Sequence, residues 1–323
     1  MRKLLVGLSG LLLILVVVLL CRLLFLGSAL LLSAGYQSIA FGASTPAVLT
    51  PVPSISYQSH NHIHGLGYDS KNSRLFIATH YGIFIWKEGK LFQLGQSRDD
   101  FMGFSLHPSN PNVIYTSGHP QSGGNMGVMK SENGGMTFER VFRGLSGESV
   151  DFHSMTISPA NPSVLYGWFQ QKLYRTKDGG KSWQFASGAG LPQEGFCWGA
   201  PCLAADGQKE GTLYAGTPNG LLASHDFGES WKVLNVQLGG IVGVGNDPSN
   251  PKRFFAFTQN LGVASSEDGG KNWQARNTGI RLSPKEFVFI FGFDRKNSKN
   301  LFAATGEQIF RSKDGGKNWE KIL

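Results

Sequence analysis

The sequence predicts an all-β chain closed as a six-bladed β-propeller of four-stranded antiparallel blades. Two internal repeats and the composition carry that prediction. The first repeat is a turn followed by a short apolar strand: DSKNSRLFIAT, HPSNPNVIYTS, SPANPSVLYGW, DGQKEGTLYAG, DPSNPKRFFAF and DRKNSKNLFAA. Aligned, these place Phe76, Tyr115, Tyr166, Tyr214, Phe255 and Phe302 at equivalent positions, 39 to 51 residues apart. That period is the one expected of propeller blades. The second repeat follows five of the six units: SENGGMTF, TKDGGKSW, SHDFGESW, SEDGGKNW and SKDGGKNW. The first unit has the degenerate IWKEGKLF in its place. With 43 glycines and only 16% charged residues, the composition suits short strands and tight turns. No stretch after the N-terminal apolar run keeps a helical period.

In chain order, Arg2 and Lys3 precede an apolar run from Leu4 to Leu32 that is interrupted mainly by Arg22. It exceeds a signal-peptide core and matches the roughly 20 apolar residues of a spanning helix. Residues 1–34 are therefore expected to be a signal anchor with its basic end inside. Cleavage near Ala40-Phe41-Gly42, releasing a secreted protein, is the alternative. Residues 35–58 read as a Pro/Ser linker and 59–323 as the propeller. Both readings place the propeller outside the cytoplasm. There Cys197 and Cys202 are expected to close a small disulfide loop. The formal charge of +8 is spread over turn lysines, so no nucleic-acid surface is expected.

Each blade should run from an inner strand (HGLGYD, MGFSLH, HSMTIS, IVGVGN) to the aromatic-bearing strand, then to a third strand, the second-repeat turn and a fourth strand. In that turn Asp178, Asp226, Asp268 and Asp314 can accept backbone N–H bonds. Gly180, Gly228, Gly270 and Gly316 can take positive φ. The tryptophans can pack between sheets. The pattern Ser/Thr-x-Asp-x-Gly-x-x-Trp resembles the Asp-box (BNR) repeat. That resemblance implies a propeller fold, with the motif away from the active site, and says little about function.

Inner strands begin, and second strands end, at the same mouth of such a ring, because the two run antiparallel. His60, His62 and His64 open the first inner strand, Asp100 and Met102 the second, and Asp151 and His153 the third. His80 and His119 end the second strands of blades 1 and 2. Six of the eight histidines thus gather at one mouth, on blades 1 to 3, with His60 assigned to the linker. His107 and His225 fall in turns and are expected to be structural. HIHGLGYD, DDFMGF, TSGHP and DFHSM resemble motifs of exported bacterial BNR-like propellers that are commonly named glycosyl hydrolases. The resemblance covers about residues 60 to 160 by motif and implies export and a six-bladed ring, without a settled catalytic mechanism.

Three functions follow from this mouth. The leading one is an exported or membrane-tethered propeller that binds a ligand or protein partner through His62, His64, His80, Met102, His119 and His153, with Trp198, Phe196, Phe101 and Tyr81 as aromatic anchors. The second is a copper or zinc site at His62, His64, His80, His119 and His153. Imidazole suits both metals, and the thioethers of Met102 and Met126 favour copper. The third is glycoside hydrolysis by Asp100 and Asp151, since such enzymes set two carboxylates across the sugar. The arginine triad and Arg-Ile-Pro element of sialidases are absent, VFRGL at 141–145 being the nearest string. No nucleotide loop, serine triad or zinc-protease motif occurs.

Overall fold

The computed structural model describes residues 49–52 and 62–323, apart from Ser146 and Trp198. The expected anchor at 1–34, His60 and Trp198 lie outside the described residues. No helix among the described residues is long and apolar enough to cross a membrane.

Six antiparallel sheets follow one another along the chain. Their inner strands are Ile63–Asp69, Asp100–Leu106, Ser154–Ile157, Cys202–Ala205, Ile241–Asn246 and Ile290–Phe293. Each sheet takes its four strands from one contiguous stretch, in sequence order from the inside out. Blade 1 differs by carrying a fifth strand. Leu49–Val52, assigned by composition to the linker, pairs antiparallel with Lys90–Leu94 at the outer edge of this blade. Pro51 is tolerated there because an edge strand needs hydrogen bonds on one side only. The linker reading is corrected for these four residues.

The ladder registers confirm the repeat alignment. Phe76, Tyr115, Tyr166, Tyr214, Phe255 and Phe302 stand opposite Gly67, Ser105, Thr156, Ala204, Gly245 and Gly292. Each aromatic is thus matched to a small residue on the inner strand. Successive strand residues point to opposite faces, and in these blades both faces are apolar. Leu75 and Ile77 pack towards blade 6, whereas Phe76 and Ala78 pack towards blade 2. The six apolar clusters of the core lie at the six seams between neighbouring blades. The seam that joins the last blade to the first is packed like the others. Ile63 and Leu75 meet Phe302 and Ile309 there, with the C-terminal Ile322 and Leu323 against them.

The turn between third and fourth strands explains its sequence. In blade 3, Asp178 accepts hydrogen bonds from the amides of Lys181 and Ser182 at 2.9 Å, and Gly180 N donates to Thr176 Oγ1. Gly180 has φ +89°, and the Trp183 indole donates to its carbonyl. Asp226, Asp268 and Asp314 bind their turns in the same way. In blade 2 Asn133 keeps the acceptor without the charge. Blade 1 replaces the whole turn by Glu88-Gly89, both at positive φ, as a two-residue hairpin requires.

Candidate functional site

At the mouth the first residues of the inner strands follow one rule. Extending the registers above back towards the mouth aligns His62-Ile63-His64 with Asp100-Phe101-Met102 and Asp151-Phe152-His153. The middle residue of each triplet is a core side chain, 0 to 2% exposed. Period-2 alternation then turns the outer two towards the mouth. Phe101, expected as an aromatic anchor, is therefore a buried plug, and Met126 is likewise packed in the core between blades 1 and 2. Phe196 packs against Gly240, whereas Tyr81 is 49% exposed beside His80.

Two local devices aim these groups. His64 and Met102 are the extra residues of β-bulges in their inner strands, and bulges redirect side chains at strand ends. A glycine follows each. A Cβ on Gly65 would lie 2.4 Å from Phe104 Cβ, and one on Gly103 would lie 2.3 Å from the Phe152 carbonyl oxygen. The recurrent x-Gly at this place reflects close approach of the next blade. His80 sits in a turn held by the Thr79 hydroxyl, which donates to the Gly82 carbonyl and accepts from Tyr81 N. His119 follows Gly118, whose φ of +144° brings it against Asp100 O.

The sequence leaves open whether the five mouth histidines share one centre. Among the described residues they fall into two groups, His62/His64/His80 and His119/Asp151/His153, each of three side chains of a type that can ligate a metal, with donor atoms within 4.8 Å of one another. In the first, His64 Nε2 is 3.3 Å from His80 Nδ1, and Asp100 joins at 2.9 Å from His80 Nδ1 and 3.7 Å from His64 Nε2. In the second, Asp151 Oδ2 lies 3.2 Å from His119 Nε2 and 2.6 Å from His153 Nε2. Bond lengths of 2.0–2.1 Å in a tetrahedral zinc site place neighbouring donors about 3.3 Å apart. The His64–His80 and His119–Asp151 spacings match this, whereas the 2.6 Å Asp151–His153 contact is a hydrogen bond. Burial, together with the neighbouring His80, His62, His153 and His119, pushes His64 from 6.5 down to about 2. Burial first, then His80, also lowers His62. Neutral imidazole is the form that binds metals.

Met102 lines a central cavity of about 250 Å³, as do His64, His153, Cys197 and Cys202. Cys197 and Cys202 are joined as a disulfide. His107 and His225 are turn residues: His107 Nδ1 accepts from Ser109 N and Asn110 N, and His225 meets Thr212. Two positioning residues were not legible as site residues. The Gly124 carbonyl is 3.0 Å from His119 Nδ1. Gly306 leaves room for His62, since a Cβ there would lie 2.3 Å from His62 Nε2. Gly306 occupies in blade 6 the place of His80 in blade 1, so the repeat alignment held the signal.

No family model matches the chain. A xyloglucanase of Paenibacillus is 32% identical over 124 residues, covering 35% of this chain and 12% of that protein. The GH74 xyloglucanase structure from Xanthomonas campestris superposes with a TM-score of 0.58 at 17% identity, over 86% of this chain and 47% of that one. A gluconolactonase from Xanthomonas campestris superposes with the same TM-score of 0.58 at 13% identity, over 86% and 98%. At these identities the likeness is one of fold. The chain spans about half of the xyloglucanase structure and a far smaller part of the sequence relative.

Proposed function

We propose that this chain is an extracytoplasmic, membrane-tethered propeller that binds its ligand at the blade 1–3 mouth through a transition-metal ion held by His62, His64 and His80. The observation that carries this is the convergence of three imidazoles from two strands of one blade, with the Asp100 carboxylate against them. In this reading Asp100 completes or orients the ligand set, and an ion there would act as a Lewis acid towards a ligand entering the mouth. Zinc fits the nitrogen-rich donors, and copper gains support from the Met102 thioether. The Asp-bearing turns are read as Asp-box turns that stabilise blades and take no part in binding. The disulfide and the basic-then-apolar N-terminus support placement outside the cytoplasm.

The test is metal content and affinity of the purified full chain for zinc and copper, compared with His64→Ala and His80→Ala. A tightly bound ion in the parent, with the ion of this group lost in both variants, is the expected result. A parent that takes up neither metal would end the proposal.

Glycoside hydrolysis is the second reading, favoured by the partial xyloglucanase match. It assigns Asp100 and Asp151 as the carboxylate pair. Turnover of xyloglucan oligosaccharides by chelator-treated protein, abolished in both Asp100→Asn and Asp151→Asn, would favour it over the metal reading.

A further inference from the structure

We infer that the mouth holds two metal ions in adjacent positions, the second bound by His119, Asp151 and His153. This rests on the reading that the first group binds an ion, and it adds a distinct site with its own donor set.

The decisive contact is that of His119. Its Nδ1 lies 3.0 Å from the Gly124 carbonyl oxygen. A carbonyl only accepts, so Nδ1 carries the hydrogen. Its Nε2 is thereby left facing Asp151 Oδ2 at 3.2 Å, where a cation, either a proton or a metal ion, can bridge the two. A backbone carbonyl that fixes the tautomer in this way is the usual outer partner of a metal-binding histidine.

Asp151 supplies the second observation. It is 6% exposed, its Oδ2 is shared with His153 Nε2, and its Oδ1 is buried with no hydrogen-bond partner among the described residues. A buried carboxylate needs pairing or a metal ion. Ser117 Oγ accepts from Phe152 N at 2.9 Å, and this ties the Asp151–His153 segment to the neighbouring blade, so the donors are held in place. Two imidazoles with one carboxylate form a ligand set that leaves coordination positions open, and it suits divalent first-row metals.

Adjacency follows from Asp100. Its side chain meets His64 and His80, while its backbone stands directly opposite His119 in the blade 2 ladder. Asp100 is thus the wall between the two groups. The His80, His119 and His153 side chains are 30 to 39% exposed, so both positions open towards the mouth.

Zinc and cobalt(II) titration of chelator-stripped full chain, with metal analysis after desalting, tests the inference. The expected result is two ions per chain in the parent. One ion should remain in Asp151→Asn and one in His64→Ala, with unfolding temperature confirming that each variant is folded. His153→Gln serves as a second variant of the same group and is expected to keep one ion. A parent whose single ion is kept in Asp151→Asn and lost in His64→Ala, or an Asp151→Asn protein that still binds two, overturns the second site while leaving the first intact. No ion in the parent overturns both. If a proton alone fills the His119–Asp151 gap, His119 is an imidazolium by ring-nitrogen NMR at neutral pH in zinc-saturated protein, which also overturns the second site.

Discussion

The mouth positions of blades 1–3 and blades 4–6 are the same places on the same scaffold, filled in opposite ways. In blades 1–3 the outer members of the triplets are His62 and His64, Asp100 and Met102, and Asp151 and His153. By the same registers, blades 4–6 carry Gly199 and Pro201, Gly240 and Val242, and Phe287 and Phe289. The middle residue is apolar and buried in all six: Ile63, Phe101, Phe152, Ala200, Ile241 and Val288. The plug is therefore what the ring needs, and the flanking positions are what the ring can spend on chemistry. Blade 5 shows this separation well. Val242 keeps the bulge found at His64 and Met102, and Gly243 keeps the close approach of the next blade, without any ligating group.

That contrast can be broken most strongly at a plug. Phe152→Ala should cost about 3–5 kcal/mol in denaturant unfolding, as buried Phe truncations do. It should also lower metal affinity, because the plug sets the direction of Asp151 and His153. The matched Ile241→Ala in blade 5 should cost about 2–5 kcal/mol and leave metal affinity unchanged. Equal loss of metal binding in both would refute the division of roles.

On the blade 4 side, replacing both Cys197 and Cys202 with Ser should cost about 2 kcal/mol for so short a closed loop. Metal stoichiometry should stay the same, measured on the folded protein. A smaller effect on stability, but a specific one on the site, is expected of Gly306→Ala. The added Cβ displaces the His62 ring, so metal affinity should fall roughly 10–100-fold, the range for a supporting residue. A competitive chelator titration reads it, and unchanged affinity would separate His62 from the site.

The smallest effect belongs at the turns far from the mouth. Asp226 is held down from 3.8 to about 2 by the hydroxyl and amide of Ser230. A folded pKa below the unfolded one contributes stability above about pH 4, and that stability is lost as pH falls through about 2. Asp226→Ala should cost about 1 kcal/mol at pH 7, limited by solvent screening at this exposed turn. The cost should shrink steadily in unfolding experiments taken down towards pH 2, with metal affinity at neutral pH unaffected.

Much of the fold was readable in the chain because blade geometry is local and repeated. The aromatic of each second strand, the Ser/Thr–Asp–Gly turn and the Trp beyond it recur at fixed offsets, and each acts within a few residues of itself. Leu49–Val52 escaped, since an edge strand containing Pro51 has linker composition and becomes a strand only by pairing with Lys90–Leu94. The site was half legible. Alternation around Ile63 and Phe152, with the antiparallel return of His80 and His119, brings the donors to one mouth from topology alone.

The sequence by itself determined a six-bladed ring and a histidine-rich mouth confined to its first three blades, because repeats and strand alternation are properties of the chain. Only the tertiary structure decided that the donors form two groups rather than one. That division depends on Asp100 touching His64 and His80 while standing opposite His119, and on the Gly124 carbonyl turning His119 towards Asp151. Such contacts are set by ångström-scale register between blades and by loop carbonyls, which carry no side-chain signature in the sequence.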